Sequence, residues 1–444
     1  MEPQTSANIS TKLERIAKLA KTAPQLAFRS LAHNIDIDWL REAYRRTRKD
    51  GAPGVDGQSA EQYAADLENN LQSLLDRAKS GSYRAPPVRR VHIPKTSGSE
   101  TRPIGIPSFE DKVLQRAVAM VLEAVYEQDF LDCSYGFRPK RSAHQALDAL
   151  QHQSVMMGGG WVLEIDIRKY FDTLGHNHLR TLLRRRVHDG VLLRLIGKWL
   201  NAGVFEDGNI TYPQEGSPQG GVISPILSNM FLHEVLDTWF EKEIKPRLSG
   251  RACLFRYADD STLLFANEQD ARRVMAVLPK RFGKYGLTLH PEKTRLVDFR
   301  RPDRRLSSGS TSTETFDLLG FTHYWGIARS GKWVVKRKTA KDRFRKATKQ
   351  VADWCREHRH DPIETQWRTL SSKLLGHFSY YGIIGNFRAI GRFREKVRYI
   401  WQKWLNRRSQ NASVQWERMQ RILARYPLPR ARIRKPTLLT AANP

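Results

Sequence analysis

The sequence has few cysteines and no long apolar run. Its three cysteines, Cys133, Cys253 and Cys355, lie far apart, which argues against a disulfide-stabilised secreted fold and against a zinc ribbon with closely spaced ligands. No apolar stretch approaches the roughly 18 residues of a transmembrane helix, so no membrane partner is expected. The first residues, MEPQTSANISTKLERIAKLAK, lack the apolar core of a signal peptide. These absences favour a protein of the reducing cytoplasm.

Acidic residues are the other relative shortage. The 444 residues include 75 Lys or Arg and only 46 Asp or Glu, for a formal net charge of +29 and a pI near 10.2. Because such a charge repels itself unless an anion neutralises it, we expect a polyanionic partner, with nucleic acid before an acidic membrane surface. A hydrophobic fraction of 40% with 10% aromatic residues is typical of a chain that folds. At roughly 150 residues per domain, the length predicts two to four domains.

The surplus of positive charge is concentrated in the last quarter of the chain. Residues 331–440 hold 28 basic and 7 acidic residues, whereas residues 1–330 hold 47 and 39. The same quarter holds six of the eleven tryptophans. Basic residues interleaved with aromatic ones suit a polyanion with stackable bases. A helical domain with a tryptophan core and a solvated basic face would explain the tryptophans equally well.

Hydrophobic periodicity predicts a mixture of helices and strands. The predicted helical regions are 11–50 (two helices), 60–80, 110–128, 142–153, a helix between the strand 161–167 and residue 189, 268–285, and 340–425 with breaks near 360, 385 and 410. The other predicted strands are a basic hairpin over 84–107, two strands over 254–265 joined by a polar tip, and a strand pair near 287–299 and 315–325. KDGAPGVDG (49–57) and the polar segment 301–315 are predicted loops.

Two acidic motifs interrupt the basic background. Asp259 and Asp260 lie at the tip of the predicted hairpin, between the apolar runs 253–255 and 263–265. Adjacent carboxylates repel each other, and a bound divalent cation with oxygen ligands, such as Mg²⁺, is a common reason for placing them together. Asp166 follows an apolar strand, and three carboxylates from two strands could hold two metal ions about 3.5–4 Å apart. An isolated acidic pair is usually a solvated turn, but the flanking strands and the third carboxylate favour a metal site.

Segments along nearly the whole chain resemble, in order, the motifs of bacterial group II intron-encoded reverse transcriptases, also called maturases. These segments are GAPGVDG (51–57), RRVHIPK and TRPIGIPSFEDKVLQRA (89–117), SYGFRPKRSAHQAL (134–147), EIDIRKYFD (164–172), GSPQGGVISPILSNMFLHEVLD (216–237), RYADD (256–260), LTLHPEKT (287–294), DLLGF (317–321), LGHFSYYG (375–382) and YPLPRARI (426–433). Each segment alone would be a weak indication. Their shared order carries the resemblance.

The resemblance implies an α+β fold, the right-hand polymerase with fingers, palm and a mostly helical thumb. The implied domains are a helical N-terminal extension over 1–58, reverse transcriptase fingers and palm over 59–330, a helical and basic thumb or maturase domain over 331–404, and a short basic DNA-binding tail over 405–444. Relatives with an HNH endonuclease carry further Cys/His pairs after such a tail. This sequence has none there, so second-strand cleavage is not expected.

The resemblance also implies roles for single residues. Asp166, Asp259 and Asp260 would be the catalytic metal ligands for two Mg²⁺ ions, with Mn²⁺ as a substitute, and the backbone carbonyl of Ile167 would be a further ligand. The implied dNTP-binding residues are Arg89, Lys95, Phe171 and Gln219. The implied primer- and template-binding residues are Arg102, Arg116, Tyr257, Leu318 and Gly320. Phe171 would exclude a ribose 2′-OH, whereas the alternative is a core aromatic beside Tyr170. Arg89 and Lys95 could instead be general template contacts.

Two hypotheses of different class follow. The first is an RNA-directed DNA polymerase that acts on dNTPs and an RNA template with a DNA primer, and takes part in intron mobility at a target DNA. The second is a maturase that binds group II intron RNA to assist splicing. A domesticated enzyme, or a splicing cofactor without mobility, is the alternative to a mobile one. We expect a bacterial cytoplasmic location, at the nucleoid when the protein acts on DNA, while the oligomeric state stays open.

Overall fold

The chain divides into two compact units, Met1–Asp298 and Phe299–Pro444, in a computed structural model. The structure describes residues 2–94, 101–212, 216, 220–302, 314–408 and 414–433. No helix within these ranges is long and apolar enough to cross a membrane. The predicted boundary between palm and thumb, at residues 330 and 331, lies inside the second unit, and as a functional boundary it stays a prediction.

The helices of the first unit surround one core. They are α1 (Glu2–Thr22), α2 (Ile37–Arg46), α3 (Ala60–Ala64), α4 (Leu67–Ser80), α5 (Phe109–Tyr126), α6 (Ala143–Met156), α7 (His176–Leu183), α8 (Gly190–Leu200), α9 (Ser224–Leu232) and α10 (Glu268–Gly283). Two π-helical stretches, His233–Asp237 and Trp239–Ile244, follow α9. Helix α5 is buried along most of its length, and Trp39 of α2 donates a hydrogen bond from its indole to Ala117 of α5 at 3.0 Å. This central helix supports the elements that carry the candidate site.

Local capping explains where several of these helices begin. Ser59 precedes α3, and its hydroxyl accepts from the Gln62 amide while the Gln62 side chain accepts from Ser59, forming a capping box. Ser108 caps α5 by accepting from the backbone amide of Asp111. Such caps satisfy backbone donors that the first helical turn leaves without partners.

The strands of the first unit form two four-stranded sheets. They are β1 (Val88–Pro94), β2 (Thr101–Ile106), β3 (Trp161–Ile165), β4 (Val204–Glu206), β5 (Asn209–Thr211), β6 (Ala252–Tyr257), β7 (Asp260–Phe265) and β8 (Arg295–Asp298). One sheet has the order β2-β1-β4-β5, and the other has the order β6-β7-β3-β8. The second sheet is antiparallel throughout, and it carries the acidic motifs.

The second unit combines a small sheet with helices. Its strands β9 (Phe316–Leu318), β10 (Phe321–Ile327) and β11 (Trp333–Thr339) pair in the order β11-β10-β9. The helices that follow are α11 (Lys341–Glu357), α12 (Ile363–Tyr381), α13 (Phe387–Leu405) and α14 (Trp416–Arg425). A separate core forms between these helices, with the fully buried Trp401 of α13 at its centre.

Most of the predicted elements are confirmed, including the hairpin over 84–107, the two strands over 254–265 and the helix breaks near 360, 385 and 410. Strands form within both predicted ranges, 287–299 and 315–325, but the predicted pairing between them is wrong. Strand β8 pairs with β3, and β9 pairs with β10, in separate sheets. The range 331–404 begins with strand β11 before its helices. Of the predicted loop 301–315, residues 303–313 lie outside the described residues.

Candidate active site

The three candidate carboxylates lie at one end of the β6-β7-β3-β8 sheet. The ladder between β3 and β7 ends with Ile165 opposite Ser261, so the next position on each strand places Asp166 opposite Asp260. Strands β6 and β7 form a hairpin whose closing pair is Tyr257 and Asp260, and Asp259 lies in its two-residue tip. Residues separated by about 90 positions in sequence therefore meet because neighbouring antiparallel strands bring their opposite ends together.

The electrostatics at this sheet end work against two full negative charges. Burial raises the pKa of Asp259, and the negative charge of Asp166 raises it further, while Arg102 and Arg256 oppose the shift. The Asp166 carboxylate is 38% exposed, and its Oδ2 lies 3.6 Å from Lys293 Nζ. A carboxylate with a raised pKa beside a second carboxylate gains from a nearby cation, so the all-oxygen donor set suits a hard ion such as Mg²⁺. In the described residues, no three His, Cys, Asp or Glu side chains converge as a metal-binding cluster.

The backbone around Asp166 is anchored by the segment 287–294. The Asp166 carbonyl accepts from the His290 amide at 2.8 Å, and Arg168 N donates to Thr288 O at 2.8 Å. Ile167, whose carbonyl is a predicted metal ligand, is 7% exposed and forms an isolated bridge with Leu289. The sequence motif LTLHPEKT thus has a structural task that its pattern did not reveal, since it fixes the strand end that carries Asp166.

The two aromatic residues after Asp166 occupy different environments. Tyr170 is buried at 3% exposure, and its hydroxyl donates to the Ser228 carbonyl at 3.2 Å. Phe171 is half-buried, packs against the core, and meets the Tyr170 ring edge-on at 5.1 Å. Lys169 turns the chain here with a φ of 48°. This difference in burial favours Phe171 over Tyr170 as the ring that faces a ligand, and its gate role stays a prediction.

The predicted dNTP-binding residues are only partly described. Arg89 of β1 donates to the Pro53 carbonyl at 2.8 and 3.1 Å, so its guanidinium holds the GAPGVDG loop. Lys95 and Gln219 lie outside the described residues. Gly220, next to Gln219, has a φ of 118°, and a Cβ there would lie 2.6 Å from the Gly105 carbonyl of β2. The glycine is required because the two backbones approach this closely.

The predicted primer- and template-binding residues of the first unit are spread over several elements. Arg102 of β2 is exposed, and its charge acts on Asp259. Arg116 lies on α5 with Nη1 4.0 Å from the Glu123 carboxylate. Tyr257 is half-buried, with its ring centroid 6.2 Å from that of Phe137. Only Arg102 and Tyr257 lie beside the carboxylates.

Leu318 and Gly320 belong to the second unit, where Leu318 ends β9 and Gly320 lies in the two-residue turn between β9 and β10. Leu318 is buried at 6% exposure. Leu319 and Gly320 have φ values of 50° and 78°, the pattern of a tight hairpin turn. The Tyr380 hydroxyl donates to the Leu319 carbonyl at 2.7 Å. The turn is therefore well fixed, whereas a primer contact by these residues stays a prediction.

A sheet that ends in one aspartate after a strand and two in a neighbouring hairpin is the arrangement expected in the palm of a polynucleotide polymerase. Residues 93–323 match the family model described as Reverse transcriptase (RNA-dependent DNA polymerase). Because this match covers just over half of the chain, the chain belongs to the reverse transcriptase family. The family implies the palm and fingers fold.

Curated relatives add the connection to introns. The chain is 42% identical over 252 residues to Protein YkfC of Escherichia coli K12, covering 55% of this chain and 65% of that protein. It is 38% identical over 188 residues to the group II intron-encoded protein LtrA of Lactococcus lactis, covering 41% and 31%. It is 26% identical over 459 residues to an uncharacterized 91 kDa protein in a cob intron of Schizosaccharomyces pombe, covering 89% and 56%. The chain thus spans about a third to two thirds of these relatives, and the predicted resemblance to group II intron-encoded proteins is confirmed.

Proposed function

We propose that this chain is an RNA-directed DNA polymerase encoded by a group II intron. The observation that carries the proposal is the strand register, which puts Asp166, Asp259 and Asp260 at the same end of the β6-β7-β3-β8 sheet. The reaction joins the primer 3′-oxygen to the α-phosphorus of a dNTP, the bond to the pyrophosphate breaks, and the hydroxyl proton is lost. The raised pKa of Asp259 supports this reading, because burial disfavours the charged carboxylate and a nearby cation would offset that cost.

In this proposal each side chain has a defined task. Asp166, Asp259 and Asp260, with the carbonyl of Ile167, hold two Mg²⁺ ions, for which Mn²⁺ can substitute. When bound, such ions stabilise charge on the attacking and leaving oxygens. The dNTP is held by Arg89, Lys95, Phe171 and Gln219. The charge of Arg102 at Asp259 favours a triphosphate contact for this residue in addition to its predicted template contact.

The test is primer extension on an RNA template with dNTPs and Mg²⁺. Asp259→Ala should abolish extension while leaving the affinity for RNA nearly intact, because it removes a metal ligand and leaves the basic surfaces unchanged. Asp76→Ala, at an exposed position of α4, serves as the matched control and should extend normally. Extension by Asp259→Ala at the wild-type rate would refute the metal assignment.

A second function, binding of group II intron RNA as a maturase, is favoured by the outer face of α13. The exposed cations Arg388, Arg392, Lys396 and Lys403 recur along this face, and Tyr399 between them is 55% exposed. Residues four apart on a helix are separated by about 6 Å along its axis, so Arg388, Arg392 and Lys396 form a row of positive charge, and Lys403 follows two turns further along the same face. In the described part of the chain, none of these four cations has an acidic partner. Such a row suits a phosphodiester backbone.

Charge reversal at Arg388, Arg392 and Lys396 tests this second function. The triple Glu variant should bind structured intron RNA more weakly and with a shallower salt dependence, by roughly 0.7–0.9 slope units per lost phosphate contact. The matched control reverses Arg272, Arg273 and Lys280, exposed on α10, and changes net charge equally. Equal loss of affinity in both triples would show that net charge matters and that the α13 face does not.

The remaining assignments complete the proposal. Residues 1–58 are an N-terminal extension, 59–330 the fingers and palm, 331–404 the thumb, and 405–444 a tail that contacts target DNA. The partners are group II intron RNA, the primer and RNA template, and target DNA in the bacterial cytoplasm and nucleoid. A domesticated enzyme without mobility would keep the same polymerase site, and it is distinguished by the absence of an intron around its coding region.

A further inference from the structure

Arg256 lies at the base of the acidic hairpin and is fully buried. It is the residue directly before Tyr257, on strand β6. A buried guanidinium is costly unless its charge is paired and its N–H groups are all hydrogen-bonded. An arginine in such a place therefore requires a complete set of acceptors, and its contacts show what it holds.

Arg256 has an acceptor for each of its five N–H groups. Asp237, itself fully buried, accepts from Nε at 2.7 Å and from Nη2 at 2.6 Å. Nη2 also donates to the Ser134 hydroxyl at 2.7 Å, and Nη1 donates to Asn229 Oδ1 at 3.0 Å. The last bond runs from Nη1 to the Ala258 carbonyl at 3.0 Å. Since a guanidinium has five such donors in a fixed plane, these contacts fix its position completely.

The bond to Ala258 connects this network to the candidate site. Ala258 has a φ of 57°, in the left-handed region that a residue with a Cβ seldom adopts. It is buried, and Gly136 lies so close that a Cβ on that glycine would be 2.3 Å from Ala258 N. Asn229, which accepts from Arg256, donates in turn to the Gly136 carbonyl at 2.6 Å. The hairpin tip is therefore held on both sides in a conformation that a residue other than glycine seldom adopts.

The same network also reaches helix α9 and the stretch that follows it. Asn229 lies on α9, and Asp237 ends the π-helical stretch that follows α9. A π-helical turn shifts the facing of the residues after it, and such turns are frequent at functional sites. Here Asp237 is the last residue of the π-helical stretch, and it pairs with Arg256. The network thus joins the α9 segment to the hairpin that carries Asp259 and Asp260.

We infer that Arg256 is a positioning residue, whose guanidinium, clamped by Asp237, holds the Ala258 carbonyl and so sets the direction of the Asp259 and Asp260 carboxylates. The inference rests on the proposed polymerase function. A positioning role must be distinguished from a purely structural one, because loss of any buried ion pair also affects folding. A second buried arginine in the same unit allows that distinction.

Arg186 is the matched control. It is 6% exposed, its Nε donates to Asp129 Oδ2 at 2.8 Å, and its Nη atoms donate to backbone carbonyls of the α1 region, including Ala20 and Leu26. It therefore resembles Arg256 in burial and pairing. None of its hydrogen bonds in the described residues reaches the acidic hairpin. Loss of a fork-shaped guanidinium at either site should lower stability, but only at Arg256 should it disturb the carboxylates.

The experiment compares Arg256→Lys with Arg186→Lys in the full chain. Readouts are the melting temperature, the affinity for primer–template, kcat and KM for dNTP, and Mn²⁺ binding followed by electron paramagnetic resonance without substrates. We expect similar melting losses in both variants. Arg256→Lys should also lower kcat by about a hundredfold, as a misplacement of about 1 Å can do, and weaken Mn²⁺ binding, with KM and primer–template affinity nearly unchanged.

Should Arg256→Lys fail to fold, Asn229→Ala replaces it, because it keeps the ion pair with Asp237 and removes the bonds to Arg256 and Gly136. Equal kcat and Mn²⁺ affinity in the Arg256 and Arg186 variants would overturn the inference and leave a structural role. If the wild-type chain extends no primer, the polymerase proposal fails, and the Mn²⁺ comparison alone decides the inference. Absence of Mn²⁺ binding in the wild type would overturn both.

Discussion

Phe171 and Tyr170 are neighbours in the chain, and their side chains lie in different environments. The Tyr170 ring is buried and its hydroxyl bonds the Ser228 carbonyl, whereas the Phe171 ring stays half-exposed beside it. An aromatic ring that packs against the core on one side is held in place, and its other side can contact a ligand. The predicted exclusion of a ribose 2′-OH requires such a fixed ring, because a ring that moved aside would admit ribose as well as deoxyribose.

Phe171→Ala should therefore raise the use of ribonucleotides. Because it removes the wall without touching the carboxylates, we expect the preference for dNTP over rNTP, measured as a ratio of kcat/KM values, to fall by about a hundredfold, or roughly 3 kcal/mol of discrimination. Tyr170→Phe is the control, since it loses only the bond to Ser228 and should keep the preference. Unchanged discrimination in Phe171→Ala would remove the gate role.

At the residue scale, the sequence identifies those residues whose chemistry is unfavourable at their position unless they have a function. Asp259 and Asp260 are recognisable because two acids between apolar strands need an explanation in any fold. Arg256 and Lys293 carry no such indication, because one basic residue among 75 Lys and Arg cannot be singled out until its tertiary neighbours are known. Their contacts with Asp237 and Asp166 come from elements distant in sequence.

At the scale of elements, the β6–β7 hairpin depends on a glycine from another segment. Gly136 precedes α6, and its backbone packs against the strained Ala258 at the hairpin tip. Close approach of two backbones leaves no room for a methyl group. The hairpin and the 134–147 segment therefore form one structural unit, although 120 residues separate them.

Gly136→Ala should displace the hairpin tip. The new Cβ would lie 2.3 Å from Ala258 N, so one backbone must move, at a cost of about 1–3 kcal/mol in the free energy of unfolding. Primer extension should fall as well, because the carboxylates move with the tip. Urea denaturation and extension assays check both. Gly190→Ala at the start of α8, where a Cβ meets nothing within 4 Å, should leave both unchanged or improve stability.

Elements were easier to predict than their pairings. The periodicity of α13 and the alternation in β6 and β7 are local, and they predicted the right element types. Strand β8 pairs with β3 and not with β9. This pairing depends on packing across the whole unit, which local sequence patterns do not reveal. The π-helical turns after α9 likewise have no local signature in the sequence, and Asp237 at the end of the first pairs with Arg256 from a separate element.

At the scale of the whole molecule, the net charge is strongly basic, yet a single acid is buried on the central helix α5. Asp111 of α5 is fully buried, and it accepts from the Trp199 indole at 2.6 Å and from Gln115 at 3.1 Å, as well as from the Tyr83 hydroxyl. Burial raises the pKa of Asp111 to about 6, and these hydrogen bonds oppose the shift. The native state therefore holds its proton more tightly than the unfolded chain does.

This shift predicts a fall in stability with rising pH. Between the unfolded pKa of 3.8 and the folded pKa of about 6, the unfolded chain releases the proton and the native protein keeps it. The free energy of unfolding should drop across this window by about 3 kcal/mol, at 1.36 kcal/mol per pKa unit, and the loss should persist above it. Denaturant unfolding at pH 4, 5, 6 and 7 measures this. Other acids titrate too, so the relevant quantity is the difference between wild type and Asp111→Asn, which lacks the group. A difference that stays constant from pH 4 to 7 would contradict the raised pKa.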